Sequence, residues 1–158
     1  MDQSLENKLI VFGINDNEYA ISVQYVGAIE VVLPITRVPN APDHVKGVIN
    51  LRGVVTPVID LKSKFHGQPT DLTDHTRIIV VHKEDTTIGL LVDCANDVID
   101  IQAEQIRQQP ETVETEIIDY ISGVVKIDNR LLIMLDIEHI MTDRIESSLV
   151  RPNQEGTL

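Results

Sequence analysis

The chain has 158 residues, with 25 Asp+Glu against 13 Lys+Arg and a net charge of −12. Such a length fits one domain or two small, closely associated subdomains, and 42% hydrophobic with 24% charged residues is a globular composition. The charge argues against nucleic acid or an anionic membrane surface as partner, and the single Cys94 excludes an intrachain disulfide and a cysteine-based zinc cluster.

Residues 1–7 read as a tail: MDQSLEN carries two acids and no hydrophobic stretch, so it is not a secretory signal. No apolar run approaches the ~20 residues needed to cross a bilayer. A soluble, cytoplasmic protein with no direct membrane insertion is the expectation.

From there the dominant signal is β. Short Val- and Ile-rich runs between turn residues predict strands over 9–14, 18–23, 47–51, 54–61, 77–82, 87–92, 96–101, 122–127 and 131–135. Asn15-Asp16-Asn17 and Glu84-Asp85-Thr86 are the polar breaks that hairpins require. Many of the runs are continuously apolar, which suits strands buried on both faces or packed within small closed barrels. Pro57, inside such a run, predicts an edge strand or a bulge, because it cannot donate a ladder hydrogen bond. A short helical turn is expected after Asp60 and another over 103–108, with irregular stretches over 67–76 and 109–118. Ile137, Ile140, Met141, Ile145 and Leu149 fall near one face of an amphipathic helix over 136–149. The remaining residues, with Pro152 and Gly156, read as a tail.

An internal repeat organises these elements. GVINLRGVVTPVIDLKSKF (47–65) aligns without a gap on GVVKIDNRLLIMLDIEHIM (123–141). Gly-Val opens both, Asp60 matches Asp136, and Gly53 falls opposite Asn129, both residues that tolerate positive φ in a tight hairpin. Residues 10–21 likewise resemble 79–90, each a strand, an acidic turn and a strand. A repeat present twice predicts two similar subdomains rather than a solenoid. Each has about five short strands, the size of a small barrel whose closure removes exposed edges.

Marks of catalysis are few. There is no G-x-G-x-x-G, G-x-x-x-x-G-K-[ST], H-E-x-x-H or G-x-S-x-G. His44, His66, His75, His82 and His139 lack metal-ligand spacing. Asp71, Asp74 and His75 share a loop best read as solvated, and Asp93, Asp97 and Asp100 sit in a strand context that favours exposed positions over a ligand set. Cys94 follows an apolar strand with no nearby His and reads as an inert thiol. Tyr19, Tyr25, Tyr120, Phe12 and Phe65 are too scattered to stack bases. Binding, with no enzyme activity, cofactor or metal, is what remains.

The segment VKGVINLRGVVTPVIDLKSKF (45–65) resembles the signature of the bacterial chemotaxis coupling protein (CheW) family. The pattern is carried by Gly47, Val48, Asn50, Leu51, Arg52, Gly53, Pro57, Asp60 and Leu61. Flanking agreement comes from Glu18-Tyr19, from Ile35-Thr36-Arg37-Val38-Pro39 with Ala41-Pro42, and from Asp97-Val98. The resemblance covers 8–148 as one domain, with 149–158 as a C-terminal tail. It implies an all-β fold with minor helices: two five-stranded SH3-like β-barrel subdomains on a shared core, plus the C-terminal amphipathic helix. It implies a non-catalytic adaptor, monomeric in isolation, bridging the cytoplasmic helical hairpin of a chemoreceptor to the regulatory domain of a histidine kinase within receptor arrays.

The resemblance makes Arg52, with Gly53 at the same hairpin tip, the leading receptor- and kinase-binding candidate. Val26 and Ile29 match apolar positions lining an inter-barrel groove, and Val98 and Ile99, from the second half, are candidates for its other wall. One departure stands out: relatives commonly carry an acid immediately before the isoleucine, whereas this chain has Gly27-Ala28-Ile29 and an acid only at Glu30. Within the same fold, the alternatives are a coupler for twitching or another non-flagellar chemosensory pathway, and a coupler domain separated from a receiver-domain fusion. The absence of a receiver pattern before Leu158 favours a free-standing coupler. From another class, an acidic metal-dependent enzyme would need convergent carboxylates and a pocket.

Overall fold

Four two-residue turns organise the chain, each with its first residue in the left-handed region: Asn15 (φ 56°), Arg52 (φ 52°), Glu84 (φ 56°) and Asp128 (φ 54°). Turns of this hand match the twist of the strands they join. The computed structural model describes residues 7–107 and 120–142. In it the turns connect β1 (Lys8–Ile14) to β2 (Asn17–Ser22), β4 (Val45–Leu51) to β5 (Val54–Asp60), β6 (Arg77–Lys83) to β7 (Thr86–Val92), and β10 (Ile121–Ile127) to β11 (Arg130–Leu135). Single strands β3 (Val26–Val31), β8 (Cys94–Asp100) and β9 (Ile106–Arg107), with the helix α1 (Leu61–His66), fill the gaps.

Two sheets result, ordered β8-β1-β2-β11-β10-β9 and β3-β6-β7-β5-β4. The all-β class with few helices is thus as expected. The two halves of the chain, however, exchange their first hairpins. β1 and β2 join the strands of the second half, while β6 and β7 join those of the first. The repeat survives to the level of single residues: parallel pairing sets Val58 opposite Gly89 in one sheet and Met134 opposite Ala20 in the other. Antiparallel β4–β5 and β10–β11 each carry a bulge, between Val45 and Gly47 and between Ile121 and Gly123. β9 adds a sixth, two-residue strand to one sheet beyond the five expected.

Three apolar clusters follow from alternation along the strands. Ile49, Val58, Ile78, Val80 and Leu91, with Ala28 and Leu51 against them, draw on all five strands of one sheet, which therefore curls around its own core. Leu9, Val11, Ala20, Val125 and Leu132, with Ile99 against them, form the corresponding core of the other sheet from all its strands but β9. Between the sheets, Phe12, Tyr19 and Ile21 meet Ile79, Val81, Leu90 and Phe65. Phe12 stacks on Tyr19, and Tyr19 meets Phe65 at a tilt, each with ring centroids 5.9 Å apart.

The matched aspartates cap matched helices. Asp60 Oδ1 accepts from the Ser63 N–H at the start of α1, and Asp136 Oδ1 accepts from the His139 N–H. Residues 137–142 are helical, and the remainder of the helix expected over 136–149 lies outside the described residues, as do 109–118, most of the N-terminal tail and 149–158.

Two expectations need correction. β3 went unread because Gly27, Ala28 and Glu30 break its apolar run, and because a bulge between Val26 and Ala28 shifts its register. Pro57 is neither at an edge nor at a bulge: β5 lies between β7 and β4. Val48, opposite Pro57, spends its N–H and C=O on Thr36 instead, at 2.9 Å each. The Val48/Pro57 pair is therefore non-hydrogen-bonded, and the parallel ladder to β7 begins only at Val58, so no partner waits for the missing proline N–H.

Candidate functional site

The β4–β5 turn is built from its own residues. Arg52 and Gly53 both take positive φ, 52° and 87°, and the Gly53 N–H donates to Asn50 Oδ1 at 2.7 Å. Asn50 and Gly53 are thus explained by the turn, Gly47 by its bulge, Asp60 by its cap and Leu61 by its burial. Arg52 is not explained in this way. A left-handed backbone suits Gly or Asn better than arginine, and its side chain is 72% exposed.

That side chain reaches across the mouth of the sheet. Arg52 Nη2 donates to Glu30 Oε2 at 3.1 Å, linking the β4–β5 hairpin to β3. β3 and β4 are the two outer strands of this sheet, so the ion pair spans an opening that no backbone ladder closes. The carboxylate missing at position 28 has a substitute two residues on, where strand alternation returns to the same face. One bond to Glu30 leaves the guanidinium with further N–H groups directed outward. Arg130 in the other sheet differs: it is clamped by both Glu18 oxygens at 3.0 Å with Asp97 at 3.8 Å, and the Glu18 hydrogen bond raises its pKa.

The apolar candidates separate into two pairs. Ile29 (42% exposed) stands opposite Ile79, and Val98 (55% exposed) opposite Ile10. Both partners belong to the core between the sheets, so Ile29 and Val98 sit at the rim of that core on opposite sheets, related by the repeat. Val26 packs on the inter-sheet core, and Ile99 on the interior cluster of its own sheet; for these two, packing accounts for the residue. The sequence reading missed three exposed valines: Val31 (59% exposed), next to Glu30 in β3, and Val54 (59%) and Val55 (70%), which follow the Arg52–Gly53 turn in the chain. In sequence, Val54 and Val55 look like the start of a buried strand; only the turn geometry turns them outward.

A second polar cluster ties the strands to the last described helix. Tyr25 Oη and Lys83 Nζ both meet Glu138 Oε2, at 3.4 and 3.3 Å. Burial, followed by Glu138, raises the Tyr25 pKa, and the hydrogen bond to Glu138 raises that of Lys83. Among the described residues no three His, Cys, Asp or Glu side chains gather where they could hold a metal ion, and no helix is long and apolar enough to cross a membrane.

Comparison with known proteins converges. The CheW-like domain model matches residues 8–144. Chemotaxis protein CheW of Bacillus subtilis (strain 168) is 44% identical over 147 residues, covering 93% of this chain and 94% of that protein. Chemotaxis protein CheW of Klebsiella aerogenes is 36% identical over 148 residues, covering 94% and 89%. The crystal structure of the scaffolding protein TtCheW from Thermoanaerobacter tengcongensis superposes with a TM-score of 0.76 at 31% identity, covering 84% of this chain and 85% of that one. The chain belongs to the CheW-like domain family, whose members are non-catalytic scaffolds of chemotaxis signalling.

Proposed function

We propose that this protein is a cytoplasmic adaptor coupling chemoreceptors to a chemotaxis histidine kinase, with residues 8–148 acting as one domain and no chemistry of its own. Its receptor partner is the helical hairpin at the cytoplasmic tip, and its kinase partner is the regulatory domain. The observation that carries the reading is Arg52: an exposed guanidinium, on a strained turn, braced by one bond to Glu30 and followed in the chain by the exposed Val54 and Val55. A charge able to make paired bonds to a carboxylate, next in the chain to exposed apolar side chains, is the composition of an interface anchor. Gly53 contributes the turn, and Val98 the corresponding apolar rim on the second sheet. Val26 and Ile99 act by holding these strands in place.

The isolated chain is a monomer that binds both partners. Titration calorimetry with a receptor cytoplasmic fragment and, separately, with the kinase regulatory domain tests this. Saturable binding of each supports the adaptor, and binding of neither overturns it.

A further inference from the structure

With a net charge of −12, an unpaired cation is uncommon on this surface. Lys8, Arg52, Lys62, Lys83 and Arg130 are ion-paired. Lys64 lies over the Tyr120 ring, and Arg77 donates to the carbonyl oxygens of Asp74 and Thr76. Among the described residues, Arg37, Lys46 and Lys126 make no such contact. Lys126 is exposed on β10. Arg37 and Lys46 line one cavity of about 520 Å³, with Val38, Pro39, Pro42 and Asp43.

The loop that forms this cavity is held in shape. Thr36 and Val48 exchange both backbone hydrogen bonds at its neck, 2.9 Å each. Gly47 permits that approach, since a Cβ there would collide with the Thr36 carbonyl oxygen and lie 2.8 Å from Ile35 Cγ2. The Val45 N–H donates to the Pro42 carbonyl at 2.9 Å, and the Asp60 N–H to the His44 carbonyl at 2.7 Å, which ties the loop to the start of α1. Asn40 turns the chain with φ 64° between the two prolines. A loop whose ends are bridged and whose backbone is fixed has little ordering left to lose on binding. The cavity also lies at the opposite end of β4 from Arg52, about 20 Å away along the strand.

We propose that this loop cavity is a second docking site, which takes an acidic segment of a protein partner. A carboxylate side chain meets Arg37 and Lys46, and an apolar neighbour covers Val38, which is 43% exposed. Asp43 offsets part of the positive charge, so the site selects a single carboxylate presented on a chain rather than a small multivalent anion. The existence of protein partners rests on the adaptor reading; the place and chemistry of this contact do not.

The test is calorimetric titration of the receptor fragment and of the kinase regulatory domain into four chains: wild type, Arg37→Glu with Lys46→Glu, Lys126→Glu, and Arg52→Ala. The loop double variant is expected to weaken one partner by about tenfold or more, with a loss that shrinks at high salt, while Lys126→Glu changes neither. Should charge reversal disturb the fold, as read by the thermal melt, Arg37→Gln with Lys46→Gln carries the same comparison. Wild-type affinity of the loop variant for both partners overturns the proposal, and so does an equal loss in Lys126→Glu, which would mark a general charge effect. Loss in Arg52→Ala alone leaves the adaptor standing and removes only the loop site. A wild-type chain that binds neither fragment overturns the adaptor reading and this proposal with it.

Discussion

Arg52 and Glu30 face each other at 3.1 Å across the mouth of a five-stranded sheet, one from the β4–β5 turn and one from β3. The pair is unequal: the guanidinium is 72% exposed and the carboxylate 21%. An ion pair this open contributes only about 0–1 kcal/mol to stability. Its consequence is orientation, because Glu30 holds one edge of the guanidinium and leaves the rest in solvent.

The turn residues give a paired expectation. Arg52 and Glu84 both take left-handed φ, 52° and 56°, at positions where asparagine is at ease. Glu84→Asn should raise stability by about 0.5–1 kcal/mol, which is about 1–4 °C in Tm for a chain of this size. Arg52→Asn should be near neutral, since relief at the turn offsets the lost ion pair. Only Arg52→Asn should weaken partner binding, by about 1–2 kcal/mol. Thermal melts beside binding titrations separate the two effects.

Gly47 has φ +150°, and an added Cβ would collide with the Thr36 carbonyl. Gly47→Val should therefore destabilise by about 1–3 kcal/mol through crowding at the Thr36–Val48 bridge. Because each sheet contains hairpins from both halves, the loss should appear as one cooperative transition rather than as melting of half the molecule. Calorimetry that resolves two transitions would contradict the exchange of hairpins as a source of cooperativity.

Asp60 and Asp136 occupy the same place in the repeat but carry different loads. Asp60 is 1% exposed and also accepts from the Thr70 N–H at 2.9 Å and the Thr70 hydroxyl at 2.7 Å. Asp60→Ala strands buried donors and should cost about 2–3 kcal/mol. Asp136→Ala removes the cap bond from the His139 N–H at a half-buried residue and should cost about 1 kcal/mol. Denaturant midpoints of the two variants check the order.

Alkaline pH should loosen the Tyr25–Lys83–Glu138 cluster. Burial and Glu138 raise the Tyr25 pKa above 10.0, and the Glu138 hydrogen bond raises that of Lys83 above 10.5. The folded state therefore holds both protons more tightly than the unfolded chain does. The stabilisation is complete below pH 10.0 and is lost as pH rises through the raised values. Glu138→Gln should bring Tyr25 ionisation, followed by ultraviolet absorbance against a Tyr25→Phe reference, back towards lower pH.

Much of this architecture was legible in the residues. The gapless repeat anticipated matching hairpins with Gly53 and Asn129 at their turns, and set Asp60 opposite Asp136, because turn chemistry is local and leaves Gly, Asn and Asp at fixed places; the matching bulges and caps appeared only in the structure. The exchange of hairpins between halves was not legible, since strand pairing is decided by packing between distant segments and either partner would satisfy the same apolar pattern. β3 was hidden by Gly27 and Glu30, the second of which proves to be the partner of Arg52. Among the site candidates, Arg52, Ile29 and Val98 are exposed, while Ile99 alternates inward. Val54 and Val55 could not be told from core, because exposure of a Val–Val pair depends on where a turn ends.

The most direct measurement of the central claim is kinase autophosphorylation in receptor-containing membranes, with this chain supplied as wild type or as Arg52→Ala. The adaptor account predicts that wild type stimulates the kinase in a receptor-dependent way, and that Arg52→Ala melts within about 1 kcal/mol of wild type yet stimulates markedly less, with Arg52→Lys only partly restoring activity. Full stimulation by a folded Arg52→Ala would show that the hairpin tip is not the contact, and no stimulation by wild type in the presence of receptor would contradict the coupling function itself.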